Sequence, residues 1–177
     1  KFYQYWLNVA DEDTGTCLRF LTELERSEIE ALDELCVSAP EQRASQKKLA
    51  EELTRLIHGS SGLSTALQAT EIFFGAEIEN LDDRQLIEIF ADVPNCELSA
   101  TELSGEGLGI MDALVKSGLM KSNGEARRSI KQGGIYINNR RVGEIDRRLT
   151  VADLTSETVI VLRSGKKKYA LLRFSNA

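Results

Sequence analysis

The hydrophobic period changes once along this chain, and the change limits what it can fold into. Up to Gly133-Gly134 the apolar residues recur every three or four positions; from Ile135 onward they alternate. Helices come first and a small sheet comes last, which predicts an α+β module at the end of the chain. Charge divides the 177 residues as well. Residues 1–106 hold 8 Lys/Arg and 22 Asp/Glu, a net of −14, whereas residues 107–177 hold 14 and 6, a net of +8. Such asymmetry predicts two domains, one of which meets a polyanion.

Other classes are excluded quickly. No apolar run approaches the ~18 residues that span a bilayer, so no membrane partner is expected. Lys1-Phe-Tyr-Gln-Tyr-Trp6 has no signal-peptide h-region. Cys17, Cys36 and Cys96 are odd in number and far apart, fitting neither a disulfide framework nor a metal site. A reducing cytoplasm follows as the expected compartment. His58 is the only histidine, so no metal centre and no two-histidine mechanism is expected. Its place at a helix end suits contact with carbonyls.

The acidic half predicts five helices within residues 1–75. Phe2, Trp6 and Val9 begin the first, and Asp13 caps the second, whose face is Cys17, Leu18, Leu21 and Leu24. Ser27 with Glu30 forms a capping box for the third, and Pro40 suits the start of the fourth. The fourth presents Leu49, Leu53, Leu56 and Ile57 and stops at Gly59. The fifth turns Leu63, Ala66, Leu67, Phe73 and Phe74 inward. Residues 76–106 predict a tether with one short helix, capped by Asp82 with Gln85 and stopped by Pro94. A protease is then expected to cut between about residues 91 and 107.

Residues 107–177 predict a small α+β module. Leu108, Met111, Leu114 and Val115 form one helical stripe, and Ser122 with Glu125 opens a second helix that stops at Gly133-Gly134. Ile135–Ile137 returns through a tight Asn138-Asn139 turn to Arg141-Val142. Val159–Leu162 and Tyr169–Leu172 pair across Ser164–Lys167. On the second helix Ala126 and Ile130 share one face while Arg127, Arg128 and Lys131 project elsewhere, an arrangement suited to phosphate. Arg140, Arg141 and Lys166–Lys168 crowd the hairpin tips. Three basic clusters in 71 residues predict one concave basic surface; a merely solvated face is the alternative.

The stretch Ser122-Asn-Gly-Glu-Ala-Arg-Arg-Ser-Ile-Lys-Gln-Gly-Gly-Ile-Tyr-Ile-Asn138 resembles the signature of the S-four-like (alpha-L) RNA-binding domain. Asn139 departs from it, where the family often has glycine. The resemblance makes candidates of Lys121, Ser122, Gln132 and Asn138 beside Arg127, Arg128, Lys131, Arg140, Arg141, Lys166, Lys167 and Lys168. Phe2–Asn8, Leu53–Gly59 and Arg163–Tyr169 are similar to the carboxy-terminal part of bacterial-type tyrosyl-tRNA synthetase, and the similarity runs end to end. It implies a helical anticodon-binding domain at 1–75, a linker at 76–106, and an S-four-like module at 107–177 on the tRNA elbow and long variable arm. Asp11 then falls where the family reads the first anticodon base; a helix cap is the alternative.

The family's catalytic signatures, a His-Ile-Gly-His type motif and a Lys-Met-Ser-Lys-Ser type loop, are missing. His58-Gly59 and Met120-Lys121-Ser122 only imitate them. The resemblance implies a chain beginning just after that loop, with Phe2, Tyr3, Tyr5 and Trp6 packed on the catalytic domain. It assigns ATP, tyrosine and Mg-dependent ligation to a homodimeric parent, and no cofactor to this piece, which is expected to be a monomer binding tyrosine tRNA. A free-standing RNA-binding regulator and a protein-interaction module remain as alternatives.

Overall fold

A computed structural model describes residues 1–175. They divide into two compact units, Lys1–Gln68 and the residues from Ala69 on.

The first unit is all helical. It contains α1 (Phe2–Leu7), α2 (Asp11–Leu21), α3 (Arg26–Ser38) and most of α4 (Ala44–Phe73). Gly59 sits at φ 71°, outside helical geometry, so α4 is two helical segments and the five expected helices are present. Their ends differ from expectation. α2 starts at Asp11 and α3 at Arg26, with no side-chain cap on either. Glu30 pairs with Arg26 one turn earlier instead of capping Ser27. Pro40 opens a single 3-10 turn, and Arg43 in left-handed geometry separates it from α4.

Leu18, Ile29, Leu49 and Leu53 form the core of this unit, extended by Tyr3, Ala50 and Leu63. Phe2 and Trp6 pack within it, and Phe2 meets the His58 ring edge-on at 5.0 Å. The aromatic opening is therefore largely used by its own unit, with Tyr5 the exposed exception. Leu56 and Ile57 share the helical face of the buried Leu49, Ala50 and Leu53 but are exposed, so the buried part of that stripe ends before them.

The second unit has a mixed five-stranded sheet in the order β1-β7-β6-β3-β4. The strands are β1 (Asn95–Ser99), β3 (Ile135–Ile137), β4 (Arg140–Val142), β6 (Val159–Ser164) and β7 (Lys168–Ser175). A short pair, β2 (Leu108–Gly109) and β5 (Arg148–Leu149), stands apart. Helices α6 (Ile110–Lys116) and α7 (Asn123–Lys131) cover one face of the sheet through Ile110, Leu114, Ala126 and Ile130.

The other face carries the largest departure from expectation. Residues 76–106 are no tether. Ile72, Ile78, Leu81, Leu86 and Phe90 pack on Val159, Val161, Tyr169 and Leu171, and β1 adds a parallel strand beside β7. The helix α5 (Asp83–Ile89) within this stretch does have its expected Asp82–Gln85 capping box. The physical cause is in β6, whose Val159–Arg163 are buried on both sides. A strand apolar on both faces needs two covering layers, and the preceding segment supplies the second.

Asp83 fastens that layer. Its carboxylate accepts from Ser156 Oγ, Thr158 Oγ1 and the Thr158 amide. Partial desolvation opposes ionisation, yet the hydrogen bonds from Ser156 and Thr158 outweigh it and hold the carboxyl below its ordinary range. A depressed folded value contributes stability that is complete above an unfolded aspartate's pKa of about 3.9 and is lost as pH falls through the folded value. Asp83→Asn should destabilise by about 1–3 kcal/mol at neutral pH, and the difference should shrink in acid. Urea melts at pH 7 and pH 3 check this; an unchanged gap would remove Asp83 from the account.

The Asn138-Asn139 turn has φ of 50° and 64°, the two positive values of a type I′ hairpin. Both side chains turn inward. Asn139 Nδ2 donates to the Ile72 carbonyl at 2.9 Å and the Ala76 carbonyl at 2.7 Å. Asn139→Gly should therefore keep the turn and still cost about 1–3 kcal/mol, since the Ala76 carbonyl loses its side-chain donor and the Ile72 carbonyl loses one of several. Equilibrium unfolding would show it, and a stabilised variant would mean that turn strain outweighs these bonds.

Candidate nucleic-acid interface

α7 starts where sequence chemistry placed it. Ser122 Oγ accepts from the Glu125 amide at 3.3 Å, and Glu125 accepts in turn from the Lys121 amide at 2.8 Å. Ala126 and Ile130 are buried, which turns Arg127, Arg128 and Lys131 to solvent. The helix ends at Gln132, followed by Gly133 at φ 69°. A Cβ on Gly133 would lie 1.6 Å from an Arg141 guanidinium nitrogen, and Arg141 Nε donates to the Gly133 carbonyl at 3.0 Å. Glycine here is needed both for the turn and for the arginine laid across it.

The β6–β7 hairpin tip joins the same region. The Gly165 amide donates to the Gly134 carbonyl at 2.8 Å, setting the exposed Lys166, Lys167 and Lys168 beside the end of α7. Lys121, Ser122, Arg127, Arg128, Lys131, Gln132, Arg141 and Lys166–Lys168 are thus exposed around α7 and the two turns that follow it.

Three candidates stand outside this group. Asn138 Nδ2 donates to the Asp153 carbonyl and its Oδ1 accepts from the Val161 amide, so its side chain serves the hairpin. Arg140 bonds Glu77 at 2.9 Å and Glu79 at 2.5 Å, and is not presented with the others. Asp11 lies in the first unit, exposed at the start of α2, where its Oδ1 accepts from the buried Gln46 amide.

The ion pairs of the second unit sort its cations. Residues 69–106 contain 10 acids and 1 base. Their carboxylates take up Arg140, Lys116 (with Glu102), Arg148 (with Glu106) and Arg173 (with Glu97), while Arg147 pairs with Asp153. Among the described residues no acid forms an ion pair with Lys121, Arg127, Arg128, Lys131, Arg141 or Lys166–Lys168. The acidic cover leaves its neighbour's positive charge concentrated around α7.

Sequence reasoning missed Arg163. It is 8% exposed, and its guanidinium lies 3.8 Å over the Tyr136 ring. Register pairs the two residues across β6 and β3, so their contact was available once those strands were aligned. Among the described residues no cluster of three His, Cys, Asp or Glu could hold a metal ion. Among the described residues no helix is long and apolar enough to cross a membrane.

Two family models match the chain. Residues 1–75 match the class I tRNA synthetases of the tryptophan and tyrosine type, and residues 85–172 match the SYY-like C-terminal domain of tyrosine–tRNA ligase. The chain belongs to the tyrosine–tRNA ligase family. It corresponds to the carboxy-terminal region of that family's bacterial type. Tyrosine–tRNA ligase of Rhodopirellula baltica is 51% identical over 175 residues, 99% of this chain and 40% of that protein. The enzyme of Roseiflexus castenholzii is 42% identical over 173 residues, 98% and 41% of the two chains. Tyrosine–tRNA ligase 1 of Bacillus subtilis is 39% identical over 174 residues, 98% and 40%. The chain thus spans about two fifths of the length of the curated relatives it matches. The second model ends at Leu172, within β7, and takes in α6, α7 and the basic turns.

Proposed function

We propose that this chain is the tRNA-recognition part of a tyrosine–tRNA ligase, with its main phosphate-binding surface on α7 and the β6–β7 turn. The observation that carries the reading is the sorting of charge. Arg127, Arg128 and Lys131 stand exposed on α7 with no ion pair to a carboxylate among the described residues, while Glu77, Glu79, Glu97, Glu102, Glu106 and Asp153 pair with other cations of the same unit. A surface of unpaired arginines and lysines on a rigid helix suits a nucleic-acid backbone.

In this reading the second unit grips the elbow and long variable arm of tyrosine tRNA, and the first unit approaches the anticodon. Asp11 is the candidate base reader there, its carboxylate oriented by Gln46 and able to accept from a guanine edge. The protein as a whole would attach tyrosine to its tRNA with ATP and Mg²⁺ in the cytoplasm, as a homodimer formed through its catalytic domain. These residues alone would bind RNA as a monomer without activating tyrosine. The test is titration of the 177-residue chain with tyrosine tRNA across a range of salt. Binding that is absent, or indifferent to salt, would count against it, because each neutralised phosphate contributes a slope of about −0.7 to −0.9.

A further inference from the structure

Arg140 and Arg141 are neighbours with opposite electrostatic surroundings. Arg141 has no carboxylate partner among the described residues; Arg140 has two. Glu77 and Glu79 come from the loop after α4 and meet one guanidinium at 2.9 and 2.5 Å. The three side chains are each more than half exposed and together carry a net charge of −1. Glu79, Arg140 and Arg141 also border a cleft of about 480 Å³, with Arg147 and Asp153, themselves ion-paired, on its wall. Along this wall the charge available to a polyanion ends at Arg141.

We propose that Glu77 and Glu79 are specificity-determining residues of the RNA face, withholding Arg140 so that the phosphate track stops at Arg141. This rests on the RNA reading above. A phosphate reaching Arg140 has to displace two carboxylates or lie beside them, and like charges at an interface oppose the wrong partner. A patch with every cation available would bind any polyanion in proportion to its charge. A track that ends at Arg141 favours RNA whose backbone follows α7 and the β6–β7 turn.

The experiment compares the full chain with E77Q/E79Q and with E77Q/E79Q/R140Q. Three probes are used: tyrosine tRNA, a short RNA duplex of unrelated sequence, and immobilised heparin. Releasing one cation steepens the salt slope by about 0.9, which near 0.1 M salt is about an eightfold gain for the unrelated duplex. Elution from heparin should move to higher salt, tyrosine tRNA should gain no more than about twofold, and adding R140Q should reverse every gain. All three residues are exposed, and circular dichroism checks the fold. Unchanged duplex affinity, an equal gain for both RNAs, or a gain that survives R140Q overturns the proposal. If the parent chain binds no tRNA while the heparin shift and its reversal persist, the RNA reading fails and the withheld cation stands. If the parent binds tRNA and the acid-to-amide changes alter nothing, only the proposal fails.

Discussion

Replacing Arg127 and Arg128 together with alanine is expected to weaken binding of tyrosine tRNA by about 30- to 700-fold. The figure corresponds to about 2–4 kcal/mol, since hydrogen bonds to charged groups are worth about 1.5–3 kcal/mol each and neighbouring contacts do not add fully. Both arginines are exposed, neither forms an ion pair among the described residues, and the helix below them is anchored by the buried Ala126 and Ile130. The substitution therefore removes charge without removing packing. Alanine is the best helix former, so α7 should persist, and circular dichroism is the control. With Arg140 engaged elsewhere, Lys121, Arg127, Arg128, Lys131, Arg141 and Lys166–Lys168 are the cations that remain around α7. If four to six of them neutralise phosphates, the slope against log salt is roughly −3 to −5, and the double variant should lessen it by about two contacts. A folded double variant that binds as tightly as the parent would move the site away from α7 and leave these arginines as a solvated face.

How much of this was legible depended on where the information lay. Local chemistry could be read directly. Ser122 before α7, Asp82 with Gln85 before α5, and the two asparagines of the type I′ turn are decided by a few neighbouring residues and stand in the structure as expected. Arg127 and Arg128 are exposed because Ala126 and Ile130 are buried, which the helical period states outright. Helix ends in the first unit were less legible. Ser27 with Glu30 fits a capping box on paper, but Glu30 had a competing partner in Arg26. Arg140 and Arg141 look equivalent in sequence. What separates them is a pair of glutamates more than sixty residues earlier, a distance that no local pattern spans. The reading of residues 76–106 as a tether failed for a similar reason. Its scattered apolar residues make a poor core among themselves, and their partners lie on β6 and β7. The clue was on the other side of the contact, in the unbroken run Val159-Ile-Val-Leu162, which announces burial on both faces.

That run also decides what happens if the chain is shortened. A piece consisting of residues 107–177 is expected not to hold a native fold by itself, contrary to what a tether would allow. It keeps α6, α7 and the face they cover, but loses β1 from the edge of the sheet and Ile72, Ile78, Leu81, Leu86 and Phe90 from its second face. Burying a large apolar side chain contributes about 1.5–3 kcal/mol, so these five residues account for roughly 8–15 kcal/mol, comparable to the whole stability of an ordinary domain. The loss also leaves Val159, Val161, Tyr169 and Leu171 facing water as an apolar patch and opens β7 as an edge, both of which favour aggregation. Five ion pairs that the acidic cover makes with Arg140, Lys116, Arg148 and Arg173 disappear too, leaving a strongly basic remnant, though exposed pairs of this kind contribute little each. A piece starting at residue 69 keeps both layers and should fold. Expressing the two pieces side by side, with dispersed amide spectra and a cooperative melt as the criteria, separates the possibilities. A monomeric 107–177 piece with native-like dispersion would show that the α6–α7 face alone sustains the sheet, and that the acidic cover is dispensable to the fold.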